Sequence, residues 1–268
     1  MEYEISEITN GQYSVSINLE SCLAAYELSA INSNLLDIEK HDEHFHDLDN
    51  HPLALIRDGI LTYRSETVLP KIQNTKKNRV LMVFGNPATH SIKHGMFFFS
   101  DGRMWRHKMW RKLHDARLIE LISYSKEKMV MFDRRKKEAE ERRRLIISGV
   151  TSDKEIVGLT TFYSFPTPVI NKYKFSNVDG VRRIFRQIIC DIDQMEIKRI
   201  SDYEFSQNAS LVFVKKGTCE VFKSCKDRDQ IGRCIYWPGV RGRYSTGSCL
   251  RSMLDNAHEN CGEAPHNE

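Results

Sequence analysis

No apolar run in the 268-residue chain reaches the roughly 18 residues needed to cross a bilayer, so no membrane-spanning helix is expected. No CxxC pair occurs, which removes the usual zinc and iron–sulfur frameworks. The seven cysteines are odd in number and irregularly spaced, a usage that suits reduced thiols in a cytoplasmic protein. The opening residues, MEYEISEITN, are acidic and polar, so no signal peptide is expected. A strong excess of one charge is lacking too. Forty Lys and Arg against 36 Asp and Glu leave a net charge of +4, and the pI is near 8.6. That balance permits a polyanionic partner without demanding one. With 40% hydrophobic residues and a mean hydropathy of −0.49, the chain can bury a core as one large domain or two small ones.

What is present is an alternation. The first 75 residues contain helical-looking stretches such as LESCLAAYELSAINSNLLDIEK, followed by the histidine-rich HDEHFHDLDNH. His41, His44, His46 and His51 in that segment fit no metal-ligand spacing, and no metal or other cofactor is expected. TKKNRVLMVFGNP then carries a continuous apolar run, the pattern of a strand buried on both faces. Helical stretches follow in RMWRHKMWRKLHDARLIELI and KEKMVMFDRRKKEAEERRRLIIS, the second with a heavily charged face. EIVGLTTFYSF reads as a second strand closing on Pro-Thr-Pro, and NVDGVRRIFRQIICDIDQM as one amphipathic helix. SLVFVKKG and RCIYWPG read as a third and fourth strand, and YSTGSCLRSMLDNA as a last helix starting near Ser245 and Thr246.

Strands alternating with helices predict an α/β fold, a central four-stranded parallel sheet flanked by helices. The expected organisation is an N-terminal helical extension over residues 1–75, the α/β domain over 76–254, and a flexible tail over 255–268. Ligands of such sheets bind beyond the carboxyl ends of the strands. The GNP loop at 85–87, the FPTP loop at 165–168 and the WPGVRGRYS loop at 237–245 all fall at those ends. By composition alone, Asn86 is a turn residue and Trp237 a core residue.

The ordered set of strand, GNP, GMFF, late strand and WPG resembles the uracil-DNA glycosylase superfamily over about residues 70–254. FGNPATHSIKHGMFFFS matches its first motif, with Gly85, Asn86 and Pro87 in the motif positions. YWPGVRGRYS stands where its second motif lies. The resemblance implies a monofunctional DNA glycosylase of uracil-DNA-glycosylase-like fold, acting as a cytoplasmic monomer on double- or single-stranded DNA. Asn86 would position the attacking water, with His90, Thr89 or Ser91 assisting. Phe98 would stack on the extruded base, and Thr160 or Thr161 would stand where the family reads it. Pro238, Gly239, Arg241, Arg243 and Ser245 would meet DNA, with Arg243 (or Arg241) filling the hole left by the base.

Three positions depart from the uracil-specific pattern. Ala88 stands where a Tyr often excludes 5-substituents, Thr160 or Thr161 where an Asn reads the base, and Trp237 where a His contacts uracil. The expected substrate is therefore a modified, 5-substituted pyrimidine, such as a decorated phage cytosine removed in antiviral defence. Ordinary uracil or mismatch repair, a silent nucleic-acid-binding module and a nucleoside N-glycosidase are the alternatives. No lysine stands in the motifs where a Schiff-base nucleophile is expected, so strand cleavage is not.

Overall fold

The computed structural model describes residues 1–71, 76–95, 108–120, 132–224, 234–239 and 246–262. Among these residues the chain forms two four-stranded sheets and eight α-helices. None of the helices is long and apolar enough to cross a membrane.

The first sheet is antiparallel. Its strands are β1 (Glu2–Ile5), β2 (Gln12–Asn18), β3 (Ala54–Arg57) and β4 (Ile60–Glu66), in the order β1-β2-β4-β3. The helical extension expected over residues 1–75 is thus corrected: over the described residues 1–71 the chain forms a sheet carrying one helix, α1 (Ala25–His41). Two turns explain the difference. Asn10-Gly11 and Asp58-Gly59 all have positive φ, the twist that two-residue hairpins require. Between them, β2 alternates half-buried and buried side chains, the mark of a sheet with one packed face.

The second sheet is wholly parallel. It contains β5 (Asn78–Phe84), β6 (Glu155–Thr161), β7 (Ala209–Phe213) and β8 (Cys234–Tyr236), in the order β6-β5-β7-β8. Along β5, Leu81 and Val83 enter the core shared with the antiparallel sheet. Val80, Met82 and Phe84 enter the core on the other face. That period of two is why the strand reads as unbroken apolar sequence.

The connections place the helices. Between β5 and β6 run α2 (Thr89–His94), α3 (Lys108–Asp115) and α4 (Phe132–Ile147). Between β6 and β7 run α5 (Asn177–Ile184) and α6 (Ile189–Asp202), then α7 (Lys216–Ser224) leads to β8 and α8 (Gly247–Gly262) ends the fold. The stretch read as one helix from Asn177 is two, broken at Phe185, whose φ and ψ of −101° and 25° leave the helical region. α8 begins with the Thr246 hydroxyl accepting from the Cys249 N–H at 3.2 Å. It continues to Gly262, so the tail expected from 255 is helical over its first part.

The chain leaves β5 for the edge strand β6 across one face and returns to β7, on the other side of β5, across the opposite face. The carboxyl end of β5 is therefore the topological switch point, where such sheets open a crevice.

One buried ion pair fixes the end of β6. Arg199 on α6 is 2% exposed and Glu196, three residues before it, is 0% exposed. The Arg199 Nε–H donates to Glu196 at 2.6 Å. Its remaining N–H groups reach the Thr160 hydroxyl, the Tyr203 hydroxyl and the carbonyls of Thr161 and Phe162. All five guanidinium donors are thereby used. Glu196 also accepts from the Ser164 N–H and hydroxyl, both at 2.5 Å, and Tyr63 of β4 bonds Ser164 at 2.7 Å. Arg199→Met should cost about 3–5 kcal/mol, because Glu196 is left charged and unpaired inside the core. Adding Glu196→Gln should recover part of that loss. Urea unfolding checks both, and a single-variant loss below about 1 kcal/mol would contradict this role.

Candidate functional site

The GNP loop extends the parallel pairing past the end of β5. The Phe162 N–H donates to the Phe84 carbonyl at 2.7 Å and the Tyr163 N–H to the Gly85 carbonyl at 2.9 Å. Further on, the Thr167 N–H reaches the Pro87 carbonyl and the Thr89 N–H reaches the Thr167 carbonyl. The GNP and FPTP loops are thus laced together along their length. Gly85 is needed there, since a Cβ at this position would lie 2.6 Å from Val178 of α5.

Asn86 is half-buried, and its side-chain amide is fixed. The Nδ2 group donates to the Pro87 carbonyl at 2.9 Å and to the Thr167 hydroxyl at 2.7 Å. Both amide hydrogens are then spent, and Oδ1 has no hydrogen bond among the described residues. Thr167, fully buried, is a site residue that sequence reasoning missed, although the FPTP loop itself was visible.

Ala88 is half-buried at the N-terminal cap of α2, where it carries no bulk beyond its methyl group. His90 lies on α2 with its ring 5.9 Å from that of His44. The histidine-rich segment therefore packs against the helix that follows the GNP loop. Its histidines do not converge: His41 pairs with Asp37, His46 with Glu39 and His51 with Asp47. Asp47, Asp49 and His51 do bring ligand atoms within 4.8 Å of one another. Although burial opposes ionisation of Asp47, the His51 and Asp49 N–H groups and Arg64 hold its carboxyl below the usual range. Arg64, 2.8 Å away, supplies the counter-charge.

Of the two candidate threonines, Thr160 gives its hydroxyl to Arg199 as an acceptor. The Thr161 Oγ1 is buried without a hydrogen-bond partner. Trp237, which the resemblance puts where a His contacts uracil, sits in the core as composition suggests. It is 0% exposed within the core of the α3, α4 and α8 face, and its indole N–H has no partner. Gly239 follows in a tight turn, with its carbonyl accepting from Lys112 at 2.6 Å, and a Cβ there would strike Val214 and Trp237. Pro238 between them is half-buried. Phe98, Arg241, Arg243 and Ser245 lie outside the described residues.

Two further titratable residues stand out. Lys215, directly after β7 and its following valine, is exposed, and its side chain passes over Gly85. It makes no ion pair among the described residues. Glu66, at the end of β4, is 3% exposed and its Oε2 has no hydrogen-bond partner. Burial alone pushes its carboxyl up to about 8.

That shift has a stability consequence. Between pH 4.5 and 8 the folded protein keeps the Glu66 proton while the unfolded chain releases it. The contribution of Glu66 is therefore fully present below the unfolded value and is lost as pH rises toward 8. Glu66→Gln should remove this loss, so the variant should gain on wild type between pH 5 and 8 by up to about 1.4 kcal/mol per pH unit. Thermal unfolding across that range checks it, and parallel profiles would contradict it.

No protein-family model and no curated sequence matches the chain, so its function must be read from these loops.

Proposed function

We propose that this protein is a monofunctional DNA glycosylase that hydrolyses the N-glycosidic bond of an extruded pyrimidine enlarged at its 5-position. The observation that carries the reading is the clamped amide of Asn86 at the switch point of a parallel sheet. With both N–H groups committed, Oδ1 keeps its lone pairs for a ligand. An amide oxygen holds a water but does not deprotonate it strongly. That is enough for this chemistry, because the sugar reaches an oxocarbenium-like state and accepts a weak nucleophile placed below it.

Ala88 supports the enlarged substrate. With only a methyl group, it lacks the ring by which an aromatic side chain would exclude a 5-substituent. Lys215 supports a polyanionic partner, since an exposed ammonium beside the reaction centre suits the phosphate of the flipped nucleotide. Decorated cytosines occur in some bacteriophage DNA, so restriction of such DNA is the role this substrate class points to.

Asn86→Ala should lower base release by roughly a hundredfold or more, while DNA affinity changes little. Thr167→Val, which keeps Asn86 but removes one acceptor of its amide, should fall between the two. Single-turnover release from oligonucleotides, with binding measured in parallel, checks both. Wild-type turnover in Asn86→Ala would return Asn86 to a turn residue. Binding without release in the wild type would favour a silent nucleic-acid-binding module.

A further inference from the structure

Three buried polar atoms lack a hydrogen-bond partner among the described residues: Glu66 Oε2, Thr161 Oγ1 and Thr89 Oγ1. The residues are 3%, 1% and 1% exposed. Such orphans are costly, and the strand order brings these three toward one end of the parallel sheet.

Two independent registers aim Glu66 at this place. Val68 bridges Leu159 in antiparallel fashion. That bridge is isolated, so it brings Glu66, two residues earlier, near the end of β6 that holds Thr161 without pairing the two, and alternation along the strand puts Glu66 on the same side as Val68. Glu66 is also the cross-strand partner of Gln12. Cross-strand partners share a face, and Gln12 donates its amide to the Ile92 carbonyl of α2 at 2.7 Å. Glu66 thus faces α2, the helix that starts at Thr89, immediately after the GNP loop. Thr161 in turn pairs with Phe84, two residues before Asn86. From Glu66 to Asn86 is about two strand spacings across the sheet and two residues along it, or about 12 Å between backbones. That is the span a nucleoside with its sugar at Asn86 and its base edge at Glu66 would bridge, passing the Phe84 side chain on the same face.

We propose that Glu66, with Thr161 beside it, reads and protonates the edge of an amino-pyrimidine, so that the base taken is of the cytosine type. A protonated carboxyl presents an O–H donor next to a carbonyl acceptor. A cytosine edge presents the complement, a ring-nitrogen acceptor next to an exocyclic amino donor. Cytosine leaves poorly as an anion, so it gains from an acid where a uracil-type base gains little. In the step itself, the bond between C1′ and the base nitrogen breaks and its electron pair goes to the base. The Glu66 proton moves to the other ring nitrogen, and the base departs neutral. The water at Asn86 forms the new bond to C1′ and releases its proton to solvent, from which Glu66 is recharged.

Titratable groups on the surrounding elements do not contest this assignment. Arg143 of α4 is spent on the Gly95 carbonyl at 2.8 Å and Lys93 of α2 reaches the Glu43 carbonyl at 3.5 Å. His90 and His94 are the other titratable groups of α2, and burial is the one cause that shifts Glu66. The acid form is therefore the working form below pH about 8.

The chemistry of this proposal rests on the glycosylase reading, whereas its location does not. The test compares matched oligonucleotides carrying 5-hydroxymethylcytosine or 5-hydroxymethyluracil, with wild type, Glu66→Gln and Glu66→Ala. Glutamine keeps a donor beside an acceptor but has no proton to give. Glu66→Gln should slow 5-hydroxymethylcytosine release at least tenfold with binding within threefold of wild type, and change 5-hydroxymethyluracil release less than threefold. Wild-type release of the cytosine base should fall above pH about 8, and the residual activity of the variant should not. Unchanged release, equal slowing on both bases, or a wild-type rate that stays flat from pH 7 to 9 would overturn the proposal, the last without any variant. If wild type releases no base at all, the glycosylase reading fails on its own. The subsite is then judged by binding: a preference for 5-hydroxymethylcytosine over thymine DNA, reduced tenfold in Glu66→Ala, supports it, and no preference overturns it.

Discussion

A buried arginine has to have every donor satisfied and its charge balanced, and Arg199 imposes that demand on most of the fold. Its guanidinium takes the carbonyls of Thr161 and Phe162 where β6 ends, and its ion-pair partner Glu196 takes the N–H and hydroxyl of Ser164. The chain leaving β6 is therefore held in a single course toward the FPTP loop. Tyr63 of the antiparallel sheet bonds the same Ser164, so the two sheets are tied at this point as well as through their common apolar core. An apolar replacement of the pair could be as stable, but it would not direct backbone groups in this way.

The course set by Arg199 delivers Thr167 to Asn86. Backbone pairing runs from Phe84 through Gly85 and Pro87 to Thr89, each step matched by a residue of the 162–167 stretch. Asn86 is then oriented by a neighbour that is itself fully buried. Preorganisation of this sort is what a reaction with a weak nucleophile requires, since the group must stand in place before the water arrives. Glu66 belongs to the same assembly, because it ends the strand that carries Tyr63 and Ser65 and faces the helix that Asn86 precedes.

The parallel sheet was legible in the sequence because strands buried on both faces leave unbroken apolar runs, as in VLMVF. The antiparallel sheet was not read. Its signals are the alternation in QYSVSIN and the two-residue turns at Asn10-Gly11 and Asp58-Gly59, which helical-looking neighbours such as Leu35 and Ile38 outweighed. Asn86 could be singled out from its place after a buried strand, whereas Thr167 could not, because its role depends on a contact 81 positions away. Glu66 left no trace in sequence at all. Its distinguishing property is burial without a partner, which exists only once β4, β6 and α2 are assembled. Trp237 shows the reverse case, a residue marked by a motif position that the fold uses in its core.

The central claim is that this chain releases an enlarged pyrimidine from DNA and leaves the strand intact. The direct measurement incubates the full-length protein with oligonucleotides carrying uracil, cytosine, 5-hydroxymethylcytosine and its glucosylated form, and identifies free bases by mass spectrometry. The account predicts a free 5-substituted pyrimidine and an unbroken abasic strand. Release of uracil alone, or of no base from any oligonucleotide, would contradict it.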